Sequence, residues 1–217
     1  MDALIMDGRG LQTGAVTCVQ NIKNPVSLAR LVMEKTDHTL LAGKGANRFA
    51  EEQGVQQVSK EQLICKTAIE KLEKYKKYSL AVSDLFREGK GHDTVGAVAV
   101  DSLGNVASAT STGGITGKEA GRVGDCPLVG CGGYCDNNVG SVSSTGHGLI
   151  PQEAAEKALS IMTQRVHGSG GVIVISNIGE IRIAFATERM SWASMQNDQV
   201  CYGLDPGEKK VATSNVF

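Results

Sequence analysis

The stretch that decides the fold is HDTVGAVAVDSLGNVASATSTGG, which runs from His92 to Gly114. Small and β-branched residues occupy both faces of the segment that begins at Thr94, as expected of a buried strand. The turn residues SLGN then lead into a second strand, VASATST. The pattern predicts a buried β-hairpin that starts at Thr94.

The segment before this hairpin has a different character. Ser79 to His92 reads SLAVSDLFREGKGH, which carries charge and glycine without sustained periodicity, so we expect an exposed linker. A cut between Asp93 and Thr94 would make Thr94 a chain terminus, whose α-amine could accept the proton of its own hydroxyl. A terminal amine titrates at about pH 7.7 to 8.0 in model peptides, which suits a general base near neutral pH.

Periodicity predicts helices and strands on both sides of the hairpin. Ahead of it we expect a strand over Gly14–Gln20, a helix capped by Asn24, opened by Pro25 and running to about Lys35, and helices over Gly45–Gln53 and Lys60–Tyr78. After it, the glycine-dense residues 113–140 favour loops that carry a site. We then expect strands at 139–145, 171–176 and 180–186, the last two joined by the turn 177–179.

A helix opened by Pro151 is also predicted. Its apolar residues recur at helical spacing, which indicates a face packed on the core: Ala154, Ala155, Ala158, Leu159, Met162 and Val166. The order of strands and helices predicts a mixed α+β fold.

Length and composition limit the class of protein. With 217 residues and 41% apolar content, the chain can bury one core, so we expect a single domain over residues 1–217. The 22 basic and 23 acidic residues give a formal net charge of −1, which provides no field to attract nucleic acid or anionic lipid. The first residues do not resemble a secretory signal, and no apolar run is long enough to span a membrane. We therefore expect a cytoplasmic protein with small-molecule partners.

Several blocks of sequence together resemble one family, and their order and spacing match as well. They are MDALIMDG at the start of the chain, GHDTVGAVAVD at 91–101, ATSTGG at 109–114, GRVGD at 121–125, GCGGYCDN at 130–137, STGHG at 144–148, SWA at 191–193 and GLDP at 203–206. The chain resembles the plant-type asparaginase and isoaspartyl-peptidase family of N-terminal nucleophile hydrolases over nearly its whole length.

The resemblance implies a role for each residue of the predicted site. Thr94 would be the nucleophile with its own amine as base, and Thr112 would hold that nucleophile in place. Arg122 would bind the α-carboxylate of the substrate and Asp125 its α-ammonium. The oxyanion hole would be formed by the donors of Thr145 and Gly146, and Gly148 would let its loop approach the ligand.

Variants inside the motifs favour an amino-acid substrate. Lysosomal glycosylasparaginases typically carry Asn at the positions of Gly113 and His147, and threonine-aspartase proteases typically carry glutamine at that of Asp125. The resemblance therefore implies hydrolysis of L-asparagine and of β-aspartyl dipeptides.

The family also implies an architecture and an assembly. We expect a four-layer αββα sandwich, cleaved into an α-chain of residues 1–93 and a β-chain of residues 94–217 that form a heterodimer, which pairs again. No organic cofactor is expected. Members usually carry a further segment before the MDALIMDG position, with a His-Gly-Gly-Ala-Gly run and a sodium-binding loop; neither appears in this sequence, so the α-chain is expected to be shortened.

Two other interpretations stay open. One is a truncated, unprocessed and non-catalytic isoform of the same family. The other is a metal or redox module built from Cys126, Cys131, Cys135 and His147, although its spacings differ from the C-x₂-C pairs of common zinc sites. Without a secretory signal, we expect the six cysteines to be reduced thiols. Nucleotide binding is disfavoured because neither GxxxxGK[ST] nor GxGxxG occurs.

Overall fold

The computed structural model describes residues 1–78, 94–145 and 170–213. Its elements are helices and strands in one chain, so the expected α+β character is confirmed at that level. The predicted linker at 79–92 and the helix opened by Pro151 lie outside the described residues. No helix in the described ranges is long and apolar enough to cross a membrane.

The described helices are α1 (Pro25–Lys35), α2 (Gly43–Glu52), α3 (Lys60–Leu63) and α4 (Lys66–Tyr78). Helix α1 starts and ends where predicted, with Pro25 in its first turn, where its missing N–H costs nothing. Asn24 stands at the N-cap position, but its side chain makes no capping hydrogen bond. That part of the prediction is wrong; the Asn24 carbonyl instead accepts from the Ser27 amide at 3.1 Å.

The single helix predicted over Lys60–Tyr78 is instead two helices. Ile64 adopts an extended conformation with φ −98° and ψ 120°, which ends α3 after one turn. The carbonyl of Cys65 then accepts the first hydrogen bond of α4 from the Ala68 amide at 3.1 Å. A β-branched residue at the junction has low helix propensity, and packing does not override it because α3 buries no residue.

Twelve strands complete the described fold. They are β1 (Asp2–Asp7), β2 (Gln12–Thr17), β3 (Leu40–Ala42), β4 (Val95–Val100), β5 (Val106–Thr112), β6 (Gly133–Asp136), β7 (Gly140–Thr145), β8 (Gly171–Ser176), β9 (Ile181–Phe185), β10 (Trp192–Gln196), β11 (Gln199–Gly203) and β12 (Lys210–Thr213). They form three sheets in the orders β3-β2-β1-β5-β4, β6-β7-β8-β9 and β10-β11-β12.

The first two sheets stack face to face. Strands β4 and β5 lie against β6, β7 and β8, while α1 covers the opposite face of β1 and β2. The sheets approach closely because their facing residues are small: a Cβ on Gly96 of β4 would overlap the Ser143 hydroxyl of β7. Glycine at this position allows the close approach of the strand that follows Thr94.

The predicted hairpin forms, but only one of its strands is buried. Strand β5 alternates between buried and accessible residues, as a strand between two neighbours should. Strand β4 lies at the edge of its sheet, and Val95 is 67% exposed. The prediction of a fully buried hairpin is therefore wrong for β4, because an edge strand lacks a neighbour on one side.

Candidate active site

Thr94 and Thr112 meet at the open end of the β4–β5 hairpin. Val95 pairs with Ser111, so the next pair along the antiparallel register places Thr94 opposite Thr112. The Thr94 hydroxyl donates a hydrogen bond to Thr112 Oγ1 at 3.1 Å. The Gly114 amide donates to the same oxygen at 3.0 Å. Two donors thus converge on Thr112, and the structure brings the predicted nucleophile together with the residue predicted to hold it.

This pair belongs to a longer row of polar side chains. Asp2 of β1 lies opposite Thr112, and on its other side β2 places Thr17 opposite Asp2. Residues directly opposite each other in antiparallel strands share a face of the sheet. Thr17, Asp2, Thr112 and Thr94 therefore form what we call the polar row, which crosses four strands on the face turned toward the second sheet.

Asp2 carries the charge in the polar row. Its carboxylate is fully buried and accepts hydrogen bonds from Thr17 Oγ1 at 2.7 Å and from the Cys18 amide at 2.8 Å. Lys118 Nζ lies 3.6 Å from the second carboxylate oxygen. Burial alone would raise the pKa of Asp2, but these hydrogen bonds and the Lys118 charge outweigh it and lower that pKa below its usual value. Asp2 is therefore ionised at neutral pH.

A cavity of about 730 Å³ opens beside Thr94. Its described wall includes Thr94, Ser143, Ser144, Gly171, Arg189 and Trp192. The volume lies in the range of small-molecule sites, and its wall combines apolar surface with a few polar groups. Arg122 and Asp125 are not part of this described wall, so the structure does not bring the two predicted head-group ligands into the same cavity as Thr94.

Arg122 and Asp125 lie in the loop that follows β5. Both are half-buried. Within the described ranges the Arg122 guanidinium forms no ion pair. The Arg122 carbonyl accepts a weak hydrogen bond from the Cys18 thiol at 3.8 Å, and the Cys18 amide bonds Asp2. The Arg122 loop is thus joined to the polar row through Cys18.

The remaining predicted residues are tested only in part or not at all. Thr145 is the last residue of β7 and pairs with Gly171, but its side chain is outside what the structure describes. Gly146, Gly148 and the cleavage residue Asp93 also lie outside the described residues.

Sequence reasoning missed three residues around the polar row: Asp2, Cys18 and Lys118. One signal was available, because Asp2 alternates with Leu4 and Met6 in MDALIMDG and so occupies an inward position of β1. A carboxylate at such a position needs partners. Neither Cys18 nor Lys118 had such a signal, since only the folded loops bring them to Asp2.

The six cysteines all lie within the described residues as thiols outside any disulfide, and they differ in environment. Burial raises the pKa of the Cys135 thiol to about 11, and this thiol donates to the Met6 carbonyl at 3.1 Å. In the exposed Cys65, hydrogen bonds led by the Thr67 hydroxyl lower the thiol pKa. Among the residues that the structure describes, no three His, Cys, Asp or Glu side chains are grouped as a metal site would require; His147 lies outside them.

Comparison with known proteins places this geometry in a family. The chain matches the family described as Asparaginase over residues 1–150 and 147–203. It is 47% identical over 231 residues to the isoaspartyl peptidase/L-asparaginase of Xenopus laevis, covering 97% of this chain and 74% of that protein. Identity is 45% over 227 residues to the protein of the same name in Danio rerio, covering 96% and 73% of the two chains. The Homo sapiens protein of the same name is 43% identical over 230 residues, covering 97% of this chain and 74% of that protein.

These matches include every motif block from MDALIMDG to STGHG, and the paired threonines lie within them. The resemblance inferred from those blocks is therefore confirmed. The chain belongs to the asparaginase family.

Proposed function

We propose that this chain is a threonine-dependent isoaspartyl peptidase and L-asparaginase that cleaves itself before Thr94. The observation that carries the proposal is the hydrogen bond from the hydroxyl of Thr94, which lines a cavity, to the Thr112 hydroxyl, in a chain of the asparaginase family. Four relatives with 43–47% identity are named isoaspartyl peptidase/L-asparaginase, and each of them matches 94–97% of this chain.

The first step would expose the nucleophile. In the intact chain the Thr94 nitrogen is an amide and cannot act as a base. The Thr94 hydroxyl oxygen would attack the Asp93 carbonyl carbon, and cleavage of the C–N bond would leave an ester between the two residues. Water would hydrolyse that ester, giving the Asp93 carboxylate and a free Thr94 amine.

Turnover would use the same oxygen. The Thr94 amine would take the hydroxyl proton as the oxygen attacks the side-chain carbonyl of asparagine or of a β-aspartyl dipeptide. That proton would pass to the departing ammonia or amino acid, and water would hydrolyse the resulting ester to release L-aspartate. Arg122 and Asp125 would bind the substrate head group. The oxyanion would be held by Thr145 and Gly146, with Gly148 allowing close approach.

The proposal extends to architecture and assembly. The described helices and sheets would belong to a four-layer αββα sandwich. The α-chain of residues 1–93 and the β-chain of residues 94–217 would stay together as a heterodimer, pair again, and act in the cytoplasm. Nucleophile, base and oxyanion donors all come from the protein, so no organic cofactor is required.

The test is intact-mass analysis of purified protein over several days. Wild type is expected to split between Asp93 and Thr94 and then to release ammonia from L-asparagine and aspartate from a β-aspartyl dipeptide. Thr94→Ala should remain one chain, whereas Thr13→Ala on β2 should process like wild type. Persistence of intact wild type would overturn the proposal and favour the unprocessed, non-catalytic isoform.

Replacing the positioning hydroxyl should slow the same reaction. Thr112→Val keeps the shape of the side chain but removes the acceptor of the Thr94 hydroxyl. We expect processing and kcat to fall about 100-fold, the usual cost of a misplaced reacting group. Ser111→Ala, the adjacent residue on the opposite face of β5, is the control. Equal rates for Thr112→Val and wild type would contradict the role of Thr112.

A further inference from the structure

Asp2 of the polar row forms an ion pair with Lys118 that the proposed chemistry does not use. Asp2 is fully buried, and the Lys118 side chain is 23% exposed. Taking both charges out of water is costly, and their attraction repays that cost only in part unless hydrogen bonds complete the arrangement. Thr17 and the Cys18 amide supply such bonds to one carboxylate oxygen of Asp2, whereas the other oxygen and Lys118 Nζ, 3.6 Å apart, have no hydrogen-bond partner among the described residues. A pair of this kind, next to the nucleophile's partner, calls for a functional explanation.

Lys118 connects Asp2 to the turn that follows Thr112. A Cβ built on Gly114 would lie 2.6 Å from Lys118 Nζ, so the ammonium rests directly on that glycine. Gly114 has φ +84°, a conformation that favours glycine, and its amide donates to Thr112 Oγ1 at 3.0 Å. The sequence of contacts runs from Asp2 through Lys118 and Gly114 to Thr112, and from there to the Thr94 hydroxyl.

Asp2 also reaches the far end of the same loop. Cys18 has φ +54°, an uncommon conformation for a residue with a side chain, and in it the Cys18 amide points at the Asp2 carboxylate. The Cys18 thiol contacts the Arg122 carbonyl at 3.8 Å. Both ends of the segment from Gly114 to Arg122 are therefore tied to one carboxylate.

We propose that the Asp2–Lys118 ion pair is a positioning device, which fixes the Gly114 turn and the Arg122 loop relative to Thr94. The inference rests on the proposed function, since positioning matters only if Thr94 reacts. Neither side chain touches substrate in this role. Asp2 and Lys118 act through Thr112 and through the backbone that carries Arg122.

Lys118→Met tests the device, because it keeps the length of the side chain but removes the charge. We expect processing before Thr94 and kcat to fall at least about tenfold, as small displacements of reacting groups typically cost. KM for L-asparagine should rise as the Arg122 loop loosens, and hydrogen exchange at the Gly114 amide should accelerate. Lys118→Arg, which restores the charge, should recover part of each loss.

A double variant and a surface pair provide the controls. The double variant Asp2→Asn/Lys118→Met should process and turn over no more slowly than Lys118→Met alone, because substitutions of two interacting residues do not have additive effects. Lys210→Met removes the exposed pair with Glu208, 2.7 Å apart, and should change nothing. Thermal unfolding is recorded for every variant. If Lys118→Met processes, turns over and exchanges its Gly114 amide as wild type does, the proposal is overturned.

The Gly114 exchange rate keeps the two proposals apart. Wild type that never processes, yet shows a protected Gly114 amide that Lys118→Met exposes, would overturn the proposed function and support the positioning contact. Wild type that processes while Lys118→Met leaves kcat, KM and Gly114 exchange unchanged would overturn the positioning role alone.

Discussion

The two faces of the five-stranded sheet differ sharply in chemistry. The outer face is apolar: Ala3 and Val16 are fully buried against Leu28, Ala29 and Val32. The inner face is mixed, because polar residues are buried there beside apolar ones: Asp2, Ser108, Thr110 and Thr112 with Leu4, Met6 and Val106. Strand β1 supplies both faces with alternate residues, Ala3 outward and Asp2 inward. The outer face can therefore stabilise the sheet while the inner face carries chemistry.

The polar part of the inner face is built by hydrogen bonds between the sheets. Thr110 Oγ1 lies 2.7 Å from Ser143 Oγ and donates to the Gly132 carbonyl at 2.8 Å. Ser141 Oγ donates to the Ala107 carbonyl of β5 at 2.7 Å. Such bonds have directions as well as strengths, so they fix one relative placement of the sheets. A reacting hydroxyl needs fixed placement, whereas an apolar interface of equal area specifies it less strictly.

The largest effect on stability is expected on the outer face. Leu28→Ala removes a fully buried side chain of α1 and should lower the free energy of unfolding by about 2 to 5 kcal/mol. Arg30→Ala on the exposed side of α1 breaks only a surface pair with Glu34 and should cost less than about 1 kcal/mol. Urea unfolding measures both. The folded fraction of Leu28→Ala should keep the kcat of wild type. A lower kcat with unchanged stability would contradict the assignment of stability to the outer face and of chemistry to the inner face.

A smaller effect is expected between the sheets. Thr110→Val leaves the Ser143 hydroxyl and the Gly132 carbonyl without their partner and should cost about 1 to 3 kcal/mol. Ser102→Ala, in the exposed turn between β4 and β5, serves as the control in the same unfolding assay. Unlike Leu28→Ala, Thr110→Val should also lower kcat. Unchanged kcat would show that these bonds stabilise without placing the site.

The smallest perturbation is chemical modification of thiols, which probes how well the inner face is closed. At pH 8 a thiol-specific reagent should modify Cys65 quickly, because Cys65 is exposed and the pKa of its thiol is lowered. Cys135 should stay protected until the protein unfolds, since it is buried and its pKa of about 11 keeps it protonated. Peptide mapping by mass spectrometry identifies each site, and Cys65→Ser should remove the fast phase. Early modification of Cys135 would show an open inner face.

Local sequence signals predicted much of the fold. Pro25 and the apolar spacing behind it defined α1 at both ends, and the turn at Asn177 to Gly179 joined β8 to β9 as expected. Where prediction failed, packing decided the outcome. The long helix over Lys60–Tyr78 divides at Ile64, where α3 buries no residue whose packing could support a continuous helix. The exposure of Val95 depends on which strand ends the sheet, a fact that no local pattern contains.

For the candidate site, the motifs identified Thr94 and Thr112, and the structure confirms that these two side chains meet. Arg122 and Asp125 were chosen on the same basis, but the structure leaves them outside the described wall of the Thr94 cavity. The arrangement of a loop depends on contacts distant in sequence, such as that between Cys18 and Arg122. Those contacts cannot be read from either segment alone.

The sequence by itself determined the family, the threonine beside the predicted cut and most of the periodic elements, because motifs, their order and their periods can all be read along the chain. Only the tertiary structure decided that Asp2 lies in line with Thr112 and Thr94, and that Lys118 closes on Asp2 from a loop more than a hundred residues away. The physical reason is that a buried charge must be matched in space. Strand register and loop packing set that match, and neither is encoded in a local stretch of residues.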